Sequence, residues 1–218
     1  CTFEHFVIEN KSHLESHRLL YGTFMERASE FDIFLKVDAD MVILRDDLFS
    51  GIADRFAARP ELDWLMIAVQ DFFSGRLIRG MHAYRNTVKW PVRDETVFVD
   101  GCSVSPQHCE EDWGTLAPAA VHCPDPSVFQ SFHYGACRGI KIAVGLADGW
   151  VNTECLGFID DTWRHAQRDT DRRRLLACLG AELALGGVLR ADHLDHDRLL
   201  ASAAYNESKD MPADDLLR

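Results

Sequence analysis

Short apolar runs alternate along the chain with longer segments of helical periodicity. The apolar runs predict strands, and their ranges are 3–9, 31–37, 64–69, 76–84, 96–99 and 141–144. The helical periodicity predicts helices over 12–30, 46–59, 127–140, 161–189 and 193–205, whereas prolines, glycines and clustered acids predict a loop over 100–126. Strands that alternate with helices indicate an α/β fold with a mixed, mostly parallel sheet. Residues 161–218 are predicted to form a C-terminal helical extension on the same domain.

The run over residues 31–37 predicts a central, buried strand that ends in two acids. Asp38 and Asp40 follow it directly, one residue apart, where the chain leaves the predicted sheet. Ligands of open α/β sheets bind at this carboxyl edge. Two carboxylates there suit Mg²⁺ or Mn²⁺, which prefer oxygen ligands. Taken without its setting, the same pair of acids is common in turns, where Asp caps the following segment.

Composition describes a soluble globular chain with no preference for polyanions. The 218 residues are 47% hydrophobic and 27% charged, which is enough to build one domain with a core. The net charge of −12 argues against non-specific binding to nucleic acid or anionic lipid, because both need clustered Lys and Arg. No apolar run approaches the length of about 20 residues that a membrane-spanning helix needs.

The cysteines favour a reducing compartment. They number seven and include no C-x-x-C pair, so we expect mostly buried, reduced thiols. The expected location of the protein is the cytoplasm, either in solution or at the inner face of the membrane. His108-Cys109 and His122-Cys123 offer four zinc-type donors. Their spacing matches no zinc module, so the reduced-thiol interpretation is preferred.

Residues 12–69 resemble the metal-binding region of the GT-A-type nucleotide-sugar glycosyltransferases. The shared pattern is a helix, a strand, the D-x-D of Asp38 and Asp40, a few apolar residues, and an acid, Asp47, that opens the next helix. The nearest resemblance is to the large inverting family of polysaccharide and glycan synthases, and residues 75–85 resemble its central strand region. The resemblance implies a Rossmann-like GT-A fold, a sugar-nucleotide donor and a Mn²⁺ or Mg²⁺ cofactor.

The same resemblance assigns domains. Residues 1–160 would be the catalytic domain, and residues 161–218 the helical extension. In the family, the strands that bind the nucleoside precede the D-x-D by far more than 37 residues. The resemblance therefore implies that these N-terminal strands are missing from the chain, which begins at Cys1. The acceptor, whether a glycan, a lipid or a small molecule, is not specified by these residues.

Several site residues follow from the resemblance. Asp40 would bind the metal, Asp38 would hold the ribose or reach the metal, and Lys36 would lie at the nucleotide sugar. A third metal ligand in these folds is often a histidine from a late loop. His122, in a loop bracketed by prolines, is the first candidate, and His133 is the second.

An inverting transfer also needs a general base to deprotonate the acceptor hydroxyl. Glu111 and Asp112, in the acidic cluster that begins at Glu110, are the best candidates by position. Asp100, at the end of a predicted strand, is the alternative. Runs of acids are usually solvated surface, which is the competing interpretation of this cluster.

Two other functions fit parts of the pattern. In phosphatases of the haloacid dehalogenase type, the first Asp of such a motif is a phosphoryl-accepting nucleophile, and Asp160 and Asp161 would complete the Mg²⁺ site. Against this, no glycine follows Asp40, where that family usually turns sharply. The third hypothesis is an inactive, glycosyltransferase-like binding module.

Overall fold

The computed structural model describes residues 2–91 and 108–216. The described chain divides into two compact units. The first comprises residues 2–72, 76–91 and 108–124, and the second comprises residues 73–75 and 125–216. The structural division therefore falls after residue 124, whereas the sequence placed a domain boundary after residue 160. The predicted strand over 96–99 lies outside the described residues.

The first unit contains two helices and a sheet. The helices are α1 (His13–Arg27) and α2 (Leu48–Ala58). The strands are β1 (Ile33–Lys36), β2 (Met41–Ile43), β3 (Trp64–Asp71), β4 (Leu77–Arg85), β5 (Cys109–Asp112) and β6 (Ala120–His122). The described strands follow the order β1-β4-β3-β6-β2, and β5 also pairs with β3.

Strand β3 is the centre of this sheet. Residues Leu65–Val69 are fully buried, as their continuous apolar pattern predicts. Strand β4 is antiparallel to β3 along one edge. On the other edge, β5 and β6 are both parallel to β3, with β5 beside its first half and β6 beside its last two residues.

The fold is α/β with a mixed sheet, but the expected predominance of parallel pairs is not found among the described strands. Strands β1 and β2 are both antiparallel to their neighbours, β4 and β6. Strand β1 lies at the edge of the sheet and is only half-buried, so the prediction of a central, buried strand was wrong. An apolar run of this length does not specify how many neighbours the strand has.

The sheet is curled, and the chain between its two edge strands shows why. Lys36 ends β1 and Met41 begins β2, yet these strands stand at opposite ends of the strand order. A flat sheet would separate them by about 19 Å, at about 4.8 Å per strand. The linking residues span at most about 17 Å when fully extended. They also contain a turn, closed by the Met41 N–H donating to the Asp38 carbonyl.

The second unit is helical. Its helices are α3 (Val128–Ala147), α4 (Thr153–Asp169), α5 (Arg172–Leu185), a short 3₁₀ turn (Ala191–Leu194), α6 (His196–Ala201), α7 (Ala203–Ser208) and α8 (Ala213–Leu216). Helices α3 and α5 pack closely through glycines. A side chain at Gly135 would overlap the carbonyl oxygen of Ala177, and a side chain at Gly180 would overlap the carbonyl oxygen of Phe132.

Local chemistry sets several helix boundaries as the sequence predicted. Ser12 caps α1 by accepting the N–H of Glu15 at 3.3 Å. Ser127 begins α3 with a reciprocal capping box to Gln130.

Three predicted elements were wrong. Residues 2–9 form no strand. Phe3 instead stacks on Phe49, and Phe6 packs edge-to-face against Phe31, beside an apolar cavity of about 470 Å³. Residues 141–144 continue α3, because nothing in that short apolar run breaks the helix. Within the predicted loop 100–126, β5 and β6 form against β3.

The predicted long helix over 161–189 is two helices. Thr170 ends α4 in the left-handed conformation, with φ of 51°, and Asp171 caps α5. The predicted helix over 193–205 is likewise divided into short helices, with Asp195 and Ser202 as caps. Capping side chains thus outweighed the continuous helical periodicity.

Candidate metal centre

Asp38 and Asp40 lie in the turn between β1 and β2. This is the carboxyl end of β1, as the sequence predicted. Lys36, the last residue of β1, donates a hydrogen bond from Nζ to Asp38 Oδ1 at 2.5 Å. The ammonium group of Lys36 is mostly buried, so it holds Asp38 in position as a charged pair.

His122 lies beside Asp40. Its Nε2 is 3.5 Å from Asp40 Oδ2. The register of the sheet produces this approach, because His122 pairs with Met41 of β2, the residue after Asp40. Two residues that are 82 positions apart in the sequence are therefore neighbours.

A buried carboxylate fixes the orientation of the imidazole. Asp71, at the end of β3, accepts the Nδ1 proton of His122 at 2.7 Å, and its side chain is fully buried. The Nε2 atom is consequently the one that faces Asp40. A carboxylate behind a histidine in this way is the usual outer-shell partner of a metal-binding imidazole.

Cys123 adds a sulfur atom to the same place. Its thiol donates to Asp40 Oδ2 at 2.9 Å, and its Sγ lies 3.8 Å from His122 Nε2. Within the described residues, Asp40, His122 and Cys123 form one group whose potential ligand atoms all lie within 4.8 Å of one another. This arrangement of an oxygen, a nitrogen and a sulfur donor is suited to a divalent ion.

One oxygen of this group has no partner. Asp40 Oδ1 is buried and accepts no hydrogen bond in the described part of the protein. A buried carboxylate oxygen without a partner is unfavourable. A cation at this position would supply the missing interaction, so the residues present fit a metal ion.

The charges of the group reinforce one another. Burial raises the pKa of Asp40, but the hydrogen bond and charge of His122 outweigh it and hold the pKa well below its usual value. Burial likewise lowers the pKa of His122, and its hydrogen bonds to Asp40 and Asp71 reverse that effect and raise it. Burial raises the pKa of the Cys123 thiol. Without an ion, the imidazolium is therefore the cation between the two carboxylates.

Glu111 and Asp112, two of the three predicted general bases, do not join this group. Asp112 and Glu111 lie on β5, which pairs with β3 at Ile67 and Met66, whereas His122 pairs with Asp71. Ile67 and Asp71 are four residues apart on β3, which is about 13 Å. The structure places Glu111 in an exposed ion pair with Arg79. Asp100 lies outside the described residues.

Asp112 has a structural role. Its Oδ1 accepts the N–H groups of four consecutive residues, Gly114, Thr115, Leu116 and Ala117, at 2.8 to 3.2 Å. Its Oδ2 pairs with Arg55. Both oxygens are thus occupied by bonds that hold the loop after β5, and the position offers no support for a base.

Replacing Asp112 is therefore expected to reduce stability. Asp112→Ala leaves buried N–H groups without their acceptor and removes one of the two carboxylate partners of Arg55, the other being Glu110, which should lower the free energy of unfolding by about 3–5 kcal/mol. The control, Glu111→Ala, removes an exposed ion pair and should change the free energy of unfolding by less than about 1 kcal/mol. Urea unfolding at neutral pH measures both, and an equal effect of the two substitutions would contradict the structural role.

The pH dependence of this difference has a defined sign. Burial raises the pKa of Asp112, but the hydrogen bonds from the backbone N–H groups lower it by a larger amount. The pKa of Asp112 is therefore lower in the folded protein than in the unfolded chain. The stabilisation by Asp112 is then complete above the unfolded pKa, which is about 3.9. The difference in the free energy of unfolding between wild type and Asp112→Ala should decrease as the pH falls below that value.

The other sequence candidates lie elsewhere. His133 is on α3, where its ring is 4.6 Å from that of His196. His108 and Cys109 lie beside Trp64, at the opposite end of β3 from His122, so the four-ligand zinc site is wrong. Asp160 and Asp161 lie within α4 rather than at the end of a strand, which removes the phosphatase motif.

Sequence reasoning missed Asp71, and it considered Cys123 only as part of a four-ligand zinc site with His108 and Cys109. Asp71 ends a fully apolar strand, the same pattern that drew attention to Asp38, but the predicted strand stopped at Val69. Cys123 follows His122 directly, and adjacent residues of a strand point to opposite faces. Only its backbone conformation brings the thiol to Asp40, and no local signal revealed that.

Comparisons with known proteins add no identification. No protein family, no curated protein and no solved structure matches this chain. Within the part of the chain that the structure describes, the helices are too short or too polar to cross a membrane. The function is therefore inferred from the geometry around Asp40.

Proposed function

We propose that this protein is a metal-dependent glycosyltransferase of the GT-A type, which moves a sugar from a nucleotide-sugar donor to an acceptor hydroxyl. The observation that carries the proposal is the meeting of Asp40 and His122 at the end of β1. A D-x-D at a strand end and a histidine from a late segment form a pair of divalent-ion ligands. The unpartnered oxygen of Asp40 supports the same assignment.

Each residue has a separate task in this proposal. Asp40 and His122 hold the divalent ion, and Asp71 keeps the Nε2 of His122 directed toward it. Lys36 orients Asp38, which faces the nucleotide sugar. When bound, Mn²⁺ or Mg²⁺ neutralises the diphosphate that leaves as the glycosidic bond to the donor breaks. The transferred group is a sugar, and the acceptor is a glycan, a lipid or a small molecule.

The remaining parts of the proposal concern the base and the location. An inverting transfer needs a general base, and the hydrogen bonds of Asp112 occupy both of its oxygens. Asp100 is then the remaining candidate of the three. The cytoplasm is the proposed compartment, because a chain with several free thiols suits reducing conditions.

A donor-hydrolysis assay tests this function. The protein is incubated with a panel of sugar nucleotides, with Mn²⁺, with Mg²⁺, with Zn²⁺ or with a chelator, and release of the nucleoside diphosphate is measured. We expect metal-dependent release from at least one donor, and a loss of at least about 100-fold in His122→Ala. The control is His108→Ala, which removes an exposed histidine of the same unit.

Two outcomes would contradict the proposal. Donor binding without any metal-dependent release, seen as a thermal shift alone, would indicate the binding module instead. Release of inorganic phosphate from simple phosphomonoesters, with no turnover of sugar nucleotides, would indicate phosphatase chemistry. Equal activity of wild type and His122→Ala would remove His122 from the metal centre.

A further inference from the structure

Cys123 departs from the ligand set that Mg²⁺ requires. The other potential ligands are a carboxylate oxygen of Asp40 and an imidazole nitrogen of His122, which suit many divalent ions. A thiol is a soft donor, and Mg²⁺ takes oxygen ligands almost exclusively. Zn²⁺ accepts oxygen, nitrogen and sulfur ligands alike. The sulfur atom therefore changes which ion the site favours.

The backbone directs Cys123 toward Asp40. Strand β6 ends at His122, and Cys123 adopts φ of 49°, in the left-handed region that residues other than glycine rarely occupy. Its N–H donates to the carbonyl of Asp40 at 2.8 Å. This turn lets two adjacent side chains, which would face opposite sides in a continuing strand, reach one point. Such strained conformations tend to persist where a site requires them.

The thiol already occupies the position of a ligand. Its S–H group points at Asp40 Oδ2, 2.9 Å away, and the residue is 5% exposed. A buried thiol held by a carboxylate is poorly placed to act as a nucleophile, which needs an accessible thiolate. An ion held by Asp40, His122 and Cys123 would replace the thiol proton and the Nε2 proton of the imidazolium, and both protons pass to the buffer.

We propose that Cys123 is the third protein ligand of this centre and that the centre consequently selects Zn²⁺ over Mg²⁺ and Mn²⁺. Three protein ligands leave a fourth position of zinc open to a substrate or a water molecule, as in catalytic zinc sites. The metal centre is the one described for the proposed transferase. The inference rests on that proposed function only in assuming that a substrate uses the open position. Ion selectivity itself is measured without any substrate.

Cobalt substitution tests the inference. The chelator-treated full chain is titrated with Co²⁺ under anaerobic, reducing conditions, since a sulfur ligand produces an intense thiolate-to-cobalt absorption in the near ultraviolet. We expect this band at one ion per chain, and its loss in both Cys123→Ser and Cys123→Ala. The control is Cys155→Ser, which changes another buried free thiol and should keep the band. Circular dichroism verifies that each variant is folded.

Competition then measures selectivity. Zn²⁺ should displace Co²⁺ from the wild type, and its affinity should fall by about 100-fold in Cys123→Ser, while the affinity for Mn²⁺ changes by less than about threefold. A wild-type cobalt complex without the thiolate band, or a band that persists in Cys123→Ser, would overturn the inference.

Failure of this inference is distinguishable from failure of the transferase proposal. A band that depends on Cys123, in a protein that turns over no sugar nucleotide, supports the zinc centre and removes the transferase. Manganese-dependent turnover in a protein without the band removes Cys123 as a ligand and keeps the transferase.

Discussion

Asp40→Ala is expected to abolish metal binding and, with it, sugar transfer. The substitution removes both carboxylate oxygens from the centre, including the buried Oδ1 that lacks a partner. His122 and Cys123 alone would leave too few ligands, so affinity for a divalent ion should fall by at least about 100-fold. Calorimetric titration of Zn²⁺ and Mn²⁺, with a nucleoside diphosphate present, measures the change.

Two further variants make this result specific. Asp40→Asn keeps the shape of the side chain and should lose nearly as much metal affinity, because a neutral amide oxygen is a weaker ligand than a carboxylate. Asp54→Ala removes an exposed acid of α2 and should bind as the wild type does. Unchanged metal affinity in Asp40→Ala would remove the site, and with it the functional proposal.

Gly135→Ala is expected to destabilise the helical unit strongly. The added methyl group would overlap the backbone carbonyl oxygen of Ala177, and a backbone atom of a packed helix has little freedom to move. Helices α3 and α5 would have to separate along a contact that also includes Gly139 and Gly180. We expect a loss of about 3 kcal/mol or more in the free energy of unfolding.

Gly22→Ala is the matched control, and its effect on the free energy of unfolding should have the opposite sign. Gly22 lies inside α1, and a methyl group there would meet no atom within 4 Å. Alanine is favoured over glycine in a helix by about 0.5–1 kcal/mol, so this substitution should stabilise the protein. Calorimetry and urea unfolding compare the two variants, and equal effects would argue against the close approach of α3 and α5.

Local patterns in the sequence determined several features that the structure contains. Ser12 and Ser127 accept helix N–H groups three residues ahead, so a few adjacent residues suffice to predict the start of a helix. The continuous apolar run in β3 predicted its burial. The two acids after β1 marked a strand end, because carboxylates are excluded from a strand interior of this kind.

The tertiary structure decided the neighbours of each strand. An apolar run favours an extended, partly buried segment, but pairing energy comes from whichever strand lies beside it. The edge position of β1 and its antiparallel pairing with β4 therefore had no local signal. The loop predicted around Asp112 became a strand for the same reason, since β5 forms only against β3.

The candidate centre shows both contributions. The sequence identified Asp40 and suggested His122 through a family resemblance, because the chemistry of a carboxylate and an imidazole is visible in the residue types. The pairing of β2 with β6 brings Asp40 and His122 into contact, and the pairing of β6 with β3 places the buried Asp71 beside His122. The approach of Cys123 depends on one left-handed backbone angle. Sequence determined the available ligand atoms, and long-range strand pairing decided which of them meet, because pairing joins segments that no local pattern connects.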